Sequence, residues 1–81
     1  MTTAEKEILK KRFGAHVQRL RLDKHLTLRQ VASNCELDNS KIAKIEDGQF
    51  NISLSTLVEL AIGLDEPPSR LLRGDFICRK E

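Results

Sequence analysis

The sequence has little of several residue types, and each shortage excludes a class of protein. Its 81 residues include no Trp, no Tyr, three Phe and two Cys. Two cysteines are too few for the disulfide framework that stabilises many small secreted domains. The most apolar stretch, residues 57–64, is interrupted by Glu59 and is far too short to span a bilayer. Because Glu5, Lys6 and Glu7 stand where a signal peptide needs its apolar segment, we expect a reduced, cytoplasmic protein that does not contact a membrane.

The residues that are present are typical of one small globular domain. Forty per cent are hydrophobic and 32% are charged, which is too apolar a composition for disorder. A chain of this length can bury one core but not two, so we expect a single domain over residues 1–81. Ten basic and seven acidic side chains lie in residues 1–49, against four and five in residues 50–81. A polyanion should therefore prefer the N-terminal portion.

Apolar residues recur at helical spacing in five segments, and no segment alternates polar and apolar residues for long enough to form a strand. The apolar positions are Leu9, Phe13, Val17 and Leu20, then Leu28, Val31, Ala32 and Cys35, then Ile42 and Ile45, then Leu57, Leu60, Ala61 and Leu64, and finally Leu71 and Leu72. This pattern predicts an all-α fold, a compact bundle of five helices.

Each predicted helix also has a recognisable start. The signals are capping boxes at Thr2 with Glu5 and at Thr27 with Gln30, N-cap residues at Asp38 and Ser53, and Pro68 at a first helical position. An apolar residue precedes each of the three middle helices, at Leu26, Leu37 and Ile52, where it can pack against the first turns of the helix that follows.

The second and third predicted helices are separated by a short turn. The second ends near Cys35 and the third spans residues 38–47, which leaves about three residues around Glu36 and Leu37. Two short helices joined in this way form a helix-turn-helix unit, whose second helix can enter the major groove of DNA.

Residues in register with this turn resemble a known family. The segments Leu26-Thr-Leu-Arg-Gln-Val-Ala, Ile42-Ala-Lys-Ile-Glu-Asp-Gly and Leu57-Val-Glu-Leu-Ala, together with Asn51, are similar to the Cro/C1-type (XRE-family) helix-turn-helix domain. The resemblance covers roughly residues 10–73, and it leaves a short N-terminal extension of the first helix and a tail at residues 74–81. It implies a lambda repressor-like DNA-binding domain of five helices, usually part of a dimeric transcriptional regulator in prokaryotes or phages.

Two charged residues lie on apolar stripes. Arg21 follows Val17 by four residues in the first helix, and Glu46 follows Ile42 by four in the third. Opposite charges on core-facing stripes are best explained by pairing with each other, and the family resemblance implies the same structural salt bridge. The alternative is that both charges lie at stripe edges in water.

The outward face of the third helix carries the candidate DNA-binding side chains. Asn can bond adenine, Lys can reach guanine, and Ala can touch a thymine methyl group. The positions that match the base-reading positions of the family are Asn39, Ser40, Ala43 and Lys44. Thr27 matches a phosphate-contacting position, and further phosphate candidates are Arg29, Lys41, Gln49 and Asn51. The alternative is an ordinary solvated helix face.

The chain departs from the family pattern at two glycine positions. Glu36 replaces the usual Gly of the turn, and His25 replaces the Gly that often ends the first helix. Because Gly in a turn suggests a positive φ, we predict a strained backbone at Glu36.

Nothing in the sequence predicts an enzyme, a metal site or a cofactor. His16 and His25 have no partners at metal-ligand spacing, Cys35 and Cys78 have no catalytic context, and there is no Gly-rich phosphate loop.

The sequence therefore predicts a transcriptional regulator that binds a palindromic operator as a homodimer, and that lies in the cytoplasm with the nucleoid. One recognition helix makes too few base contacts for useful specificity, so two-fold pairing is expected. Two alternatives stay open: an antitoxin or other protein-binding module, and a restriction-modification controller. A protein partner would be a toxin or RNA polymerase. The apolar segment Phe76-Ile-Cys is expected to pack on a partner or on the first helix.

Overall fold

The structure, a computed structural model, describes residues 1–73, and these form five α-helices. They are α1 (Thr3–Asp23), α2 (Leu28–Ser33), α3 (Asn39–Glu46), α4 (Leu54–Leu64) and α5 (Pro68–Leu71). This part of the chain contains no strand, and the predicted all-α fold is confirmed. No helix in it has the length and apolar character needed to cross a bilayer. The apolar segment at residues 76–78 lies outside the described residues.

The helices begin at the predicted capping residues. In both capping boxes the Thr hydroxyl accepts the N–H three residues on at 3.1 Å, and the Glu5 or Gln30 side chain accepts the Thr N–H at 2.7 Å. The Asp38 carboxylate accepts the Lys41 N–H at 2.7 Å, and Ser53 caps α4. Local hydrogen bonds available to these side chains therefore set where the helices start.

The end of α2 differs from the prediction. This helix ends at Ser33 rather than near Cys35, because the N–H groups of Asn34 and Cys35 bond carbonyl groups three residues back instead of four. Cys35 consequently lies in the turn, half-buried, with its thiol 3.5 Å from the Val31 carbonyl oxygen. Residues 34–38 then separate α2 from α3, which is longer than the predicted turn. The Glu36 N–H donates to the Glu59 carboxylate of α4 at 2.9 Å and so attaches this turn to the core.

The prediction of a positive φ at Glu36 was wrong. Among the described residues other than Gly, only His25 (φ 58°) and Asp65 (φ 57°) are left-handed. A turn of five residues can reverse the chain without a left-handed residue at Glu36. His25 instead ends α1 in a Schellman motif, in which its own N–H bonds Leu22 O at 2.9 Å and the next N–H bonds Arg21 O at 3.1 Å. Such positions favour Gly, so His25 carries backbone strain.

The core lies where the five helices meet. α1 packs against α3 and α5, α2 packs against α3 and α4, and α4 packs against α5. Every helix contributes a fully buried side chain, and the largest of these are Val17, Val31, Ile42, Ile45, Leu60, Leu64 and Leu71. The apolar residues before the middle helices, Leu26, Leu37 and Ile52, are partly buried against this core. Burial of their side chains fixes the direction in which the chain enters each helix.

Gly14 allows α1 to approach the end of α3 closely. A Cβ at this position would meet Ile45 O, and it would lie 2.5 Å from Glu46 O. Both atoms belong to the backbone, so neither could move aside without shifting α3. Gly14 therefore sets the distance between the long first helix and the second helix of the helix-turn-helix unit.

Candidate nucleic-acid interface

The third helix is anchored through one face and presents the other to solvent. Ile42 and Ile45 are 0% and 1% exposed, and Val31 of α2 is 0% exposed beneath them. On the opposite side, Asn39, Ser40 and Lys44 are exposed. Ala43, the fourth predicted base-reading residue, is half-buried. The buried face thus fixes how the polar face of α3 is presented.

An ion pair between Arg21 and Glu46 holds the C-terminal end of α3. Arg21 Nε donates to Glu46 Oε2 at 2.7 Å and Nη2 donates to Oε1 at 3.0 Å, a bidentate geometry. A third donor, Nη1, bonds the Leu26 carbonyl oxygen at 2.9 Å. The two side chains are only 11% and 5% exposed. The structure therefore shows the contact expected from the two apolar stripes, rather than two charges in water.

The electrostatics of this pair follow from its geometry. The hydrogen bonds to Glu46 raise the pKa of Arg21 above its ordinary value, although burial of the guanidinium acts in the opposite direction. The charge of Glu46 adds to the upward shift. Because Arg21 also bonds the carbonyl of Leu26, one guanidinium links α1, the segment before α2 and the end of α3.

The five predicted phosphate-binding residues are all exposed, but Thr27, Lys41 and Gln49 already make hydrogen bonds, Lys41 only through its backbone N–H. The Thr27 N–H donates to Gln30 Oε1 at 2.7 Å, so only the hydroxyl hydrogen of Thr27 is left to meet a phosphate. Gln49 Nε2 donates to Asp47 Oδ2 at 2.7 Å. Arg29 and Lys41 make no ion pair within residues 1–73. Their charges are therefore available to a polyanion.

A surface groove brings several predicted residues together. It runs between α3 and residues 50–53, and its lining includes Asp38, Ser40, Lys41, Lys44, Phe50 and Asn51. Residues predicted separately as base readers and as phosphate contacts thus share one surface.

Thr27 and Arg29 do not line this groove, since they lie at the start of α2. Thr27 is the N-cap of that helix, and Arg29 lies in its first turn. Asn39, Ala43 and Gln49 do not line the groove either, so the predicted contacts are divided between the start of α2, the α3 groove and other parts of α3 and the loop after it. The start of α2 and the α3 groove could therefore contact different phosphates of a bound duplex.

Reasoning from the sequence missed the role of two glycines. Gly14 lies where α1 crosses α3, and Gly48 is buried with φ 78° at the end of α3. A Cβ at Gly48 would lie 2.8 Å from Lys11 Cγ, so this residue brings Lys11 against the loop that carries Gln49. A lone Gly within a helical pattern was the available signal for Gly14. Within residues 1–73, no group of three His, Cys, Asp or Glu side chains is arranged to hold a metal ion.

Comparisons with known proteins agree with this geometry. The family model of a helix-turn-helix domain matches residues 12–73. The restriction-modification controller protein C.AhdI from Aeromonas hydrophila is 36% identical, with a TM-score of 0.71 over 75% of this chain and 92% of that one. The clp gene regulator ClgR from C. glutamicum is 25% identical, with a TM-score of 0.72 over 79% of this chain and 83% of that one.

A third solved structure shows a similar fold at lower identity. It is the tetramer of the restriction-modification controller protein C.Esp1396I in complex with its natural 35-base-pair operator. Its sequence is 22% identical, and the TM-score is 0.69 over 80% of this chain and 96% of that one. A comparison with curated proteins gives no match. The matched residues include all five helices except the first part of α1. The chain therefore belongs to the helix-turn-helix domain family, and it is a DNA-binding transcriptional regulator.

Proposed function

We propose that the protein binds a two-fold symmetric operator as a homodimer, with α3 in the major groove of each half-site. The observation that supports this most directly is the arrangement of α3, whose apolar face is buried and whose polar face is exposed. The Arg21–Glu46 pair holds the end of that helix in place. A helix that is anchored in this way and has exposed hydrogen-bonding side chains is suited to reading base edges.

The proposed roles divide between bases and phosphates. Asn39, Ser40, Ala43 and Lys44 would read bases, because they lie on or beside the exposed face of α3. Asn39 is in the first turn, which is the part of a recognition helix that reaches base edges. The residues proposed to contact phosphates are Thr27, Arg29, Lys41, Gln49 and Asn51. Phosphate contacts position the protein, whereas base contacts supply the discrimination between sequences.

A homodimer follows from the number of contacts that one subunit can make. One recognition helix touches only a few base pairs, and two half-sites are needed for a useful ratio of specific to non-specific binding. We propose that residues 1–81 form one domain that acts in the cytoplasm with no cofactor and no catalytic activity. A toxin or RNA polymerase as a further partner stays a prediction.

The experiment that tests this proposal is selection of bound sequences from random duplex DNA at a stated salt concentration. We expect enrichment of an inverted repeat whose half-sites are centred about one helical turn, or roughly 10 base pairs, apart or a multiple of it. The mass of the complex should correspond to two subunits on each such site. Failure to enrich any sequence would contradict the proposal, and tight binding to a co-expressed toxin would then favour the antitoxin alternative.

A second candidate, control of a restriction-modification system, is favoured by the 36% identity to C.AhdI over 92% of that protein. It lies within the same DNA-binding function and differs only in the genes that are controlled. A gene for a methyltransferase or an endonuclease beside this one, with the selected operator upstream of it, would support this candidate. An operator upstream of unrelated genes alone would contradict it.

A further inference from the structure

Lys11 of α1 lies against the loop that follows the recognition helix. A Cβ at Gly48 would lie 2.8 Å from Lys11 Cγ and 2.9 Å from Lys11 Cα, so the two residues are in close contact. Gly48 has φ 78°, and it directly precedes Gln49, a proposed phosphate contact. The first half of α1 is therefore packed beside the proposed DNA-binding surface, although it is far from α3 in the sequence.

The loop at residues 47–53 has lysine side chains on both sides, although it begins with Asp47. On one side, Lys41 and Lys44 line the groove with Asp38, Phe50 and Asn51. On the other side, Lys10 of α1 lines a second groove with the same Phe50 and Asn51. A nucleic-acid backbone that follows this loop would thus meet α3 and α1 together.

The three consecutive basic residues of α1 are not equivalent. Lys10 Nζ lies 2.8 Å from the Glu7 carboxylate, so Lys10 already has an ion-pair partner on α1. The hydrogen bond and charge of Lys10 accordingly lower the pKa of Glu7, and Lys11 is only a weak further cause. Lys11 is exposed and makes no ion pair within the described chain. Arg12 is also exposed, but it lies on a different surface, beside Arg19 and Leu22.

We propose that Lys11 contacts a backbone phosphate of the bound duplex and extends the phosphate path from the α3–α4 loop onto α1. This inference rests on the proposed function, since it adds a contact to the same DNA-binding surface. The aliphatic part of Lys11 packs on Gly48 while the residue stays exposed, which holds its charge beside the start of the loop that carries Gln49. Lys11 supplies affinity for every sequence and no discrimination between sequences.

The test compares Lys11→Gln with Arg12→Gln, which removes the same charge from the next residue on the other surface. Binding to the selected operator and to unrelated duplex is measured across a range of salt concentrations. Each phosphate contact contributes about 0.9 to the slope of log K against log salt, so Lys11→Gln should reduce the slope of a dimer by about 1.8. The ratio of the wild-type affinity to the Lys11→Gln affinity should then fall about twelvefold as the salt concentration rises from 50 to 200 mM. Lys11→Arg should keep the wild-type slope.

Three outcomes separate the possibilities. A reduced slope for Lys11→Gln, equal on both duplexes and absent in Arg12→Gln, supports the proposal. If Lys11→Gln and Arg12→Gln have equal slopes, the reduction in slope is an effect of net charge and Lys11 does not contact a phosphate. This outcome would overturn the proposal and leave the proposed function intact. A wild-type protein that binds no duplex would overturn the proposed function and this inference together. As a control, thermal unfolding of each variant is measured to check that the fold is retained.

Discussion

Removal of one partner from the Arg21–Glu46 pair should destabilise the protein strongly. The two side chains are 11% and 5% exposed and share two hydrogen bonds, so water cannot replace a missing partner. We expect Arg21→Met to reduce the free energy of unfolding by about 3–5 kcal/mol, because it leaves the Glu46 charge buried alone. Glu46→Leu should cost less, about 2–3 kcal/mol, since Arg21 keeps its bond to the Leu26 carbonyl oxygen.

The double variant separates the worth of the pair from the cost of a stranded charge. Arg21→Met combined with Glu46→Leu leaves no buried charge and fills a similar volume with apolar atoms. We expect it to change the free energy of unfolding by about 1 kcal/mol or less, which makes the two single changes strongly non-additive. For a domain of this size, each 1 kcal/mol shifts the melting temperature by roughly 4–8 °C. Arg21→Met should therefore unfold at least about 12 °C below the wild type.

The assay is urea denaturation of the four proteins at one protomer concentration, because the proposed dimer would contribute to apparent stability. Neutral pH is suitable for the comparison. The pKa of Arg21 is higher in the folded state than in the unfolded chain. Its charged form therefore stabilises the fold at every pH below the pKa of Arg21 in the unfolded chain, and this stabilisation is lost only in strong alkali. Single changes that each cost less than about 0.5 kcal/mol would show a solvated pair and refute the reasoning.

Three further outcomes are expected. His25→Gly should stabilise the protein by about 1 kcal/mol in the same denaturation assay, because Gly adopts φ 58° without strain; a loss of stability would show that the His25 side chain outweighs the strain. Gly14→Ala should destabilise the protein by about 2–3 kcal/mol, because the added Cβ would meet the backbone of α3. This is the reverse of the usual effect, since Ala normally stabilises a helix interior by about 1 kcal/mol relative to Gly. Any gain in stability would contradict the prediction. Asn39→Ala and Lys44→Ala should each lower the discrimination between operator and unrelated duplex by about 1–3 kcal/mol, and should leave non-specific binding nearly unchanged. Arg29→Ala should instead lower the specific and the non-specific affinity in parallel. An unchanged ratio of the two affinities in the α3 variants would mean that α3 is not the reading helix.

The helices and their starts were predictable because their causes are local. Thr2, Thr27, Asp38 and Ser53 cap helices by bonding N–H groups of the next turn, so a few consecutive residues contain the whole signal. The apolar spacing likewise identified the buried face of α3, and the family resemblance predicts that its exposed face is the one that meets DNA. The ends of helices were harder to predict, because carbonyl groups at an end can be satisfied in several ways. This is why the position of Ser33 at the end of α2 was missed.

The sequence by itself determined the five-helix class, the helix starts, the polar face of α3 and the pairing of Arg21 with Glu46. Only the tertiary structure decided that the backbone of Glu36 is not left-handed, because this residue lies in a turn held by α4. It also decided that Gly14 meets the end of α3 and that Lys11 lies against Gly48. These contacts join residues more than thirty positions apart. They arise from packing of whole helices, and no short segment of the sequence contains them.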